Sequence, residues 1–331
     1  MSDAPLIRIP EVPIPAEFET RYVTADDGAR LRVAVYPHPQ PKAAIIVHPG
    51  WTEFIEKYVE VARMLHARGF TVLICDPRGQ GYSQRQMPGD DRGLIKDFRR
   101  FGDDLDTHFS LLKSEASGPY FILGHSMGGL ATIEWLASRQ PKDIAGAVLS
   151  APMTRLFANP FVTSSAYWVL TMLVALGQGG HQIAGLKEQA RQFEGNTLTK
   201  DKERHDRFRL LLEAAPEART RRPAYAWLKA GFDAVSRIGA PGALDDLCPE
   251  LLLVSADDDE TVDPIHHREL AKRYPQIALK RIPDAYHEIL MEVDPVRAAF
   301  WQAFDDYVAA RLPGYVPPAD KTNVPLPASS A

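Results

Sequence analysis

Cysteine is scarce in this chain. Two residues, Cys75 and Cys248, in 331 are too few for a disulfide framework, and a reduced, cytoplasmic protein is expected. Excess charge is scarce too. Lys and Arg total 38 against 43 Asp and Glu, a net charge of −5, so bulk electrostatics give no pull toward nucleic acid. The basic clusters Arg204–Arg209 and Arg219–Arg222 have acidic neighbours or lie on helix surfaces, and read as solvated faces first and as anion-binding patches second. The longest apolar stretch, Phe161–Leu176, is interrupted by Thr163, Ser164, Ser165 and Thr171 and is short for a membrane span. The N-terminal MSDAPLIRIPEVPIP has no basic region followed by an apolar stretch, so no secretory signal is expected. Metal and dinucleotide motifs are also missing. His287-Glu288 is not followed by a second histidine at the H-E-x-x-H spacing, no Cys/His cluster occurs, and Gly79-Gln80-Gly81 lacks a third glycine. No cofactor and no metal are expected.

What is present is ordinary globular material, 45% hydrophobic and 24% charged, in a recognisable rhythm without internal repeats. Short apolar runs at Arg30–Tyr36, Ala43–Val47, Thr71–Cys75, Tyr120–Leu123, Ala147–Ser150, Glu250–Val254 and Ala278–Ile282 predict strands. Helical patterns lie between them at Tyr58–Ala67, Phe98–Ser114, Leu130–Ser138, His266–Tyr274 and Pro295–Ala310. Such alternation predicts an α/β protein with a mostly parallel sheet covered by helices. Residues 153–240 break the rhythm. They carry many aromatics and no convincing strand, and read as a helical cap with a few side chains from Phe161–Leu176 facing the site. The expected divisions are an extended segment (1–18), a core (19–152 and 241–312), the cap (153–240) and a mobile tail (313–331).

One segment carries chemistry. Tyr120–Leu130 reads YFILGHSMGGL, in which Gly124-His125-Ser126-Met127-Gly128 fits G-x-S-x-G between an apolar strand and a helix. That is the context of a nucleophile elbow, whose strained turn needs neighbours nearly free of side chains. A serine hydroxyl is a weak nucleophile until a base takes its proton, and on such a sheet the chain order is serine, acid, histidine. Five histidines lie far enough beyond Ser126: His181, His205, His266, His267 and His287. The first two fall in the cap, and the next two begin a helix and are expected on its surface. His287, in a loop after the last apolar strand, is the candidate base. The acid belongs to the loop after Leu251–Val254, where Asp257, Asp258, Asp259 and Glu260 run together; spacing does not choose among them. An oxyanion hole needs two backbone N–H groups. Met127 supplies one. Trp51, in the loop His48-Pro49-Gly50-Trp51-Thr52-Glu53, is placed to supply the other.

Five segments in order resemble the α/β-hydrolase superfamily, and within it the lysophospholipase and monoacylglycerol lipase group, which shares sequence with certain serine aminopeptidases. They are His48–Tyr58, Asp76-Pro77-Arg78-Gly79-Gln80-Gly81-Tyr82-Ser83, Gly124–Gly129, Leu149–Met153 and Tyr286-His287-Glu288. The resemblance spans about residues 20–312. It implies an α/β-hydrolase fold with a helical cap, no cofactor, and a serine hydrolase acting on a glycerol-linked acyl ester. The group's acid is commonly followed by two variable residues and Val. This selects Asp259 in Asp259-Glu260-Thr261-Val262, with Asp258 in reserve. Pro49 stands where many relatives have His before Gly. Asp76 and Arg78 are expected to brace loops. Rival readings are a short-chain esterase or aminopeptidase on the same three residues, and a non-catalytic binding protein of this fold. Peripheral contact of the cap with a lipid surface, at the inner membrane face, is a further expectation.

Overall fold

The computed structural model of the chain describes residues 4–87, 91–156, 160–182 and 192–319. Strands β1 (Glu19–Thr24) and β2 (Arg30–Tyr36) form an antiparallel pair. β1 has no apolar run to announce it, since its residues are all at least partly exposed at the sheet edge. β3 (Ala43–His48) is buried throughout, and α1 (Val59–His66) carries the chain to β4 (Phe70–Cys75), which is equally buried. Then come α2 (Arg99–Glu115), β5 (Tyr120–His125), α3 (Met127–Arg139) and β6 (Ile144–Ser150). An insertion holds α4 (Pro160–Ala175), α5 (Lys202–Ala214) and α6 (Tyr225–Gly239), with no strand among its described residues. The chain closes with β7 (Leu251–Ala256), α7 (Pro264–Arg273), β8 (Ile277–Ile282) and α8 (Asp294–Ala309).

The eight strands are ordered β1-β2-β4-β3-β5-β6-β7-β8, parallel from β4 to β8. After β3 the chain steps outward to β4, then returns to place β5 on the other side of β3. The order therefore reverses at β3/β5. In an open parallel sheet the crevice beyond the carboxyl ends of such a pair is where ligands bind. The loop after β3 and the turn after β5 meet there, because His48 pairs in register with Gly124. Among the described residues no helix is long and apolar enough to cross a membrane.

The described parts of the two terminal segments, from residue 4 and up to residue 319, are held to the core. The Ile7 N–H donates to Glu56 Oε1 at 2.9 Å, and Arg32 Nη1 donates to the Pro5 carbonyl at 2.9 Å. The segment expected to be a mobile tail from residue 313 is packed at its start. Tyr315 is buried, its ring 6.5 Å from Phe70 and its hydroxyl donating to Asp305 Oδ1 at 2.5 Å. One aromatic with a partner for its hydroxyl outweighs a run of prolines. Residues 320–331 of that tail lie outside the described residues.

Candidate active site

β5 ends in the sharpest turn of the site. Ser126 stands at φ +49°, ψ −114°, a conformation that costs any residue with a Cβ. It persists because both sides are tied down. The Ser126 N–H donates to Ser150 O at 3.0 Å, and its carbonyl accepts from Leu130 N at 3.1 Å and Met153 N at 3.0 Å. The glycines leave no room for alternatives. A Cβ on Gly128 would lie 2.2 Å from His48 O, and one on Gly124 2.9 Å from Gly128 O. Ser126 is thereby presented at the N-terminus of α3.

His287 comes from the loop after β8 and Asp259 from the loop after β7. His287 Nδ1–H donates to Asp259 Oδ2 at 2.7 Å, which leaves Nε2 to accept the Ser126 hydroxyl at 2.9 Å. All three are buried. Burial alone pushes the Asp259 carboxyl up. The charge and hydrogen bond of His287, with the N–H groups of Val262 and Thr261 on Oδ1 at 3.0 and 2.8 Å, outweigh it and hold the carboxyl below its ordinary range. An ionised carboxylate keeps the imidazole in the tautomer that can take a proton from a hydroxyl. The neighbouring acids are used otherwise. Asp257 pairs with Arg281 at 2.8 Å, Asp258 lies 3.4 Å from Lys200 Nζ, and Asp263 caps α7 through the Ile265 N–H at 2.9 Å.

Met127 is the first residue of α3, and Trp51 lies on the loop after β3, next to Gly50. The positions Gly50 and Ser126 are in contact, since a Cβ on Gly50 would lie 3.2 Å from Ser126 Cβ. Beneath this loop is a buried polar cluster that sequence reasoning left unread. Glu53 Oε2 accepts from Gly50 N at 2.5 Å and Tyr58 OH at 2.6 Å, while Oε1 accepts from Lys57 Nζ at 2.7 Å. Lys57 also donates to Glu288 Oε1 at 2.6 Å. Burial pushes the Glu53 carboxyl up, but the charges of Lys57 and His125 and the hydrogen bonds from Lys57 and Tyr58 pull it below its ordinary range. The only advance signal was the four-residue spacing of Glu53 and Lys57. The Asp76–Ser83 turn braces the loop as expected. Asp76 accepts from Arg32 Nε at 2.6 Å, Ile55 N at 2.8 Å and Tyr82 N at 2.7 Å; Arg78 is held by Asp104 and Asp27.

Other expectations are corrected here. His267 is not on the surface of its helix; it is buried, with Ser255 Oγ 2.8 Å from Nδ1 and Pro152 O 2.8 Å from Nε2. It joins α7 to the strand ends instead of meeting solvent. Arg204 is not part of a solvated face but bridges Glu60, Asp201 and Asp294. In α4, Tyr167 packs edge to face on Phe232 of α6 at 6.3 Å, whereas Trp168, Val169 and Met172 beside it, and Leu176 just after the helix, are 57–69% exposed. The side chains of residues 160–163 lie outside the described residues.

A mostly parallel eight-stranded sheet, with a serine on a strained strand-to-helix turn at its switch point, defines the α/β-hydrolase fold. A monoglyceride lipase from Saccharomyces cerevisiae has the same fold, with a TM-score of 0.70 at 18% identity over 90% of this chain and 97% of that one. So does a carboxyl esterase from Bacillus coagulans, with a TM-score of 0.70 at 16% identity over 90% and 100% of the two chains. The chain belongs to the family described as serine aminopeptidase, S33 (Hydrolase_4), which matches residues 39–294. It is similar to lysophospholipase L2 of Escherichia coli strain K12, 31% identical over 296 residues, covering 86% of this chain and 85% of that protein. It is also similar, over a shorter stretch, to human monoglyceride lipase, 38% identical over 125 residues and 39% of that protein. The protein is a hydrolase of this family.

Proposed function

We propose that the protein cleaves the carboxylic ester of a glycerol-linked acyl chain, a lysophospholipid or a monoacylglycerol, through an acyl-enzyme. The observation that carries this reading is the unbroken line Ser126–His287–Asp259, at 2.9 and 2.7 Å. Ser126 Oγ attacks the ester carbonyl carbon as His287 Nε2 takes its proton. Asp259 holds the imidazole and stabilises its charged form. The carbonyl oxygen, now negative, is met by the N–H groups of Trp51 and Met127. Collapse breaks the bond to the glycerol oxygen, which leaves with the proton from His287. Water then attacks the acyl carbon, gives its proton to His287, and the fatty acid departs as Ser126 recovers that proton.

The ester reading is favoured over aminopeptidase chemistry by the charge beside the nucleophile. A free substrate amine needs an unpaired carboxylate, whereas Glu53 and Glu288 share Lys57. The substrate names of the relatives in Escherichia coli and human point the same way. Substrate delivery at the cytoplasmic face of a membrane belongs to the same reading, supported by the outward apolar side chains of α4. Fatty-acid release from lysophospholipid, monoacylglycerol, a short p-nitrophenyl ester and an aminoacyl amide, by wild type and Ser126→Ala, is the test. Activity on a long-chain lipid that vanishes in the variant is expected and selects the head group. Turnover of the short ester alone would replace the lipid reading with a small-ester one, and turnover of the amide with a peptidase. Failure on all four would defeat the reading.

A further inference from the structure

The Asp76–Ser83 turn takes no part in the proton transfers above, yet its middle residue lies directly against the oxyanion loop. Gln80 is 1% exposed. Its amide makes two hydrogen bonds to that loop, one of each polarity. Nε2 donates to Gly50 O at 3.2 Å, and Oε1 accepts from Thr52 N–H. These two backbone groups bracket Trp51. In a trans peptide the N–H points opposite to the C=O. Holding the Gly50 carbonyl toward Gln80 therefore turns the Trp51 N–H, in the same peptide unit, away from Gln80. The bond to Thr52 N–H fixes the next peptide in turn, so the side-chain amide plays the part of a neighbouring strand's backbone toward residue 51. Thr52 stands at φ +65°, costly for a β-branched residue, and the bond to Gln80 is one of the contacts holding it there.

Gln80 is itself fixed. Its N–H donates to Pro77 O at 2.9 Å and its carbonyl accepts from Ser83 N at 3.0 Å. Gly81, at φ +51°, is confined beneath it, since a Cβ there would lie 2.1 Å from Asp76 Oδ2. Asp76 also accepts from Ile55 N at 2.8 Å, so one buried carboxylate ties the turn to the loop it braces.

We propose that Gln80 is a positioning residue for ester hydrolysis: its amide aims the Trp51 N–H at the oxyanion without touching substrate. This rests on the serine-hydrolase reading. The test uses the full chain as wild type, Gln80→Met, Gln80→Glu and Gln80→Asn, assayed on a short p-nitrophenyl ester. Inhibition by a phenylboronic acid, which forms a tetrahedral anion on the serine, is measured alongside. Gln80→Met, which removes both bonds at similar length, is expected to lower kcat by about 10- to 100-fold with KM changed less than about 2-fold. Boronate affinity should fall by a similar factor. Gln80→Glu keeps an acceptor for Thr52 but sets a carboxylate oxygen on Gly50 O, and should also lose kcat. Gln80→Asn, one methylene short, should lie between these and wild type, and it carries the comparison if Gln80→Met melts below the assay temperature. An active wild type whose Gln80 variants keep kcat and boronate affinity within about 2-fold overturns the inference alone. A wild type without Ser126-dependent turnover overturns the hydrolase reading, and this inference with it.

Discussion

At the carboxyl ends of β3, β5, β7 and β8, polar side chains are buried and fixed to one another: Ser126 to His287, His287 to Asp259, Glu53 to Lys57 and Lys57 to Glu288. In the insertion between β6 and β7, α4 does the reverse and turns Trp168, Val169 and Met172 to solvent, as does Leu176 just beyond its end. The insertion meets the core along a broad seam that includes Thr199 to Met291, Arg204 to Glu60 and Arg237 to Glu134, and it reaches the loop after β3 as well. The Trp51 indole lies 4.4 Å from Trp227 of α6, ring to ring, and Gly93 hydrogen-bonds to Arg222 and Ala224. The contrast separates two tasks. Bond cleavage needs donors and acceptors preorganised to within about 0.5 Å, which buried, mutually satisfied groups on strand ends provide. Collecting an acyl chain needs apolar surface, not a fixed geometry. Substitutions on the strand-end side should therefore change turnover of every substrate. Those on the insertion should change only which substrates arrive.

The largest effect belongs to the buried side. Ser126→Ala should lower kcat by about 10⁵-fold or more, and Asp259→Asn by about 10⁴-fold, because the amide can hold the wrong imidazole tautomer. Asp258→Asn is the sharpening control. Asp258 lies beside Lys200 and not beside His287, so kcat should stay within about 2-fold. Steady-state kinetics on a soluble ester reads all three. A collapse in Asp258→Asn with an active Asp259→Asn would reverse the assignment of the acid.

The sequence made the elbow and the base legible because their geometry is local. A glycine-flanked serine between an apolar strand and a helix has few other uses, and His287 is the candidate histidine that follows both the acidic loop and the last strand. The acid was harder. Four acidic residues in succession differ only in where the loop backbone aims them. The N–H groups of Thr261 and Val262, which hold Asp259, leave no trace in residue type. The oxyanion-loop support was hidden for another reason: Gln80 and Glu53 act on backbone atoms 28 and 3 residues away, contacts that no periodicity encodes. Burial of His267 was missed because a helix start was equated with exposure. The neighbouring strand end and the Pro152 carbonyl, both distant in sequence, cover it.

The seam is the place to break the comparison. A Cβ on Gly93 would lie 1.7 Å from Trp51 Cη2, and neither a rigid indole nor the hydrogen-bonded strip that carries Gly93 can yield without moving the oxyanion loop or α6. Gly93→Ala should cost about 10- to 100-fold in kcat, since displacements near 1 Å at a reacting centre have effects of that order. Wild-type kcat in Gly93→Ala would mean that the loop and insertion move independently. On the far side of the insertion, Trp168→Glu with Met172→Glu should lower turnover of long-chain lipid in vesicles by about 10-fold and leave a soluble short ester within about 2-fold. Equal losses on both substrates would show α4 to be part of the catalytic framework.

The smallest effect is on stability, and it tests how dry the buried side is. Among the described residues neither nitrogen of His108 has a hydrogen-bond partner, nor does Nδ1 of His48. Burial pushes His48 down to about 4; burial, together with the charges of His48 and Arg78, pushes His108 down to about 3. In the unfolded chain both titrate near about 6.5. Between these limits the unfolded state binds two protons that the folded state refuses, so stability falls as pH drops below about 6.5. Asp104 opposes this. Burial, against the pull of Arg78, raises it to about 6, so the folded state holds one proton that an unfolded aspartate, near about 3.9, releases. His266 is likewise pushed down to about 4, chiefly by burial, and burial lowers His66, His125 and His267 as well, so the refused protons outnumber the one that Asp104 holds and stability falls as pH drops from about 6 to about 4. Asp259 adds nothing in that window, because its lowered value places its loss at still lower pH. Urea unfolding at a series of pH values reads the slope directly. His108→Leu, which removes one refused proton and strands no partner, should make the slope shallower by about 1.4 kcal/mol per pH unit. A slope unchanged by His108→Leu would mean that His108 is solvated in the folded protein, and that the floor beneath the oxyanion loop is wet.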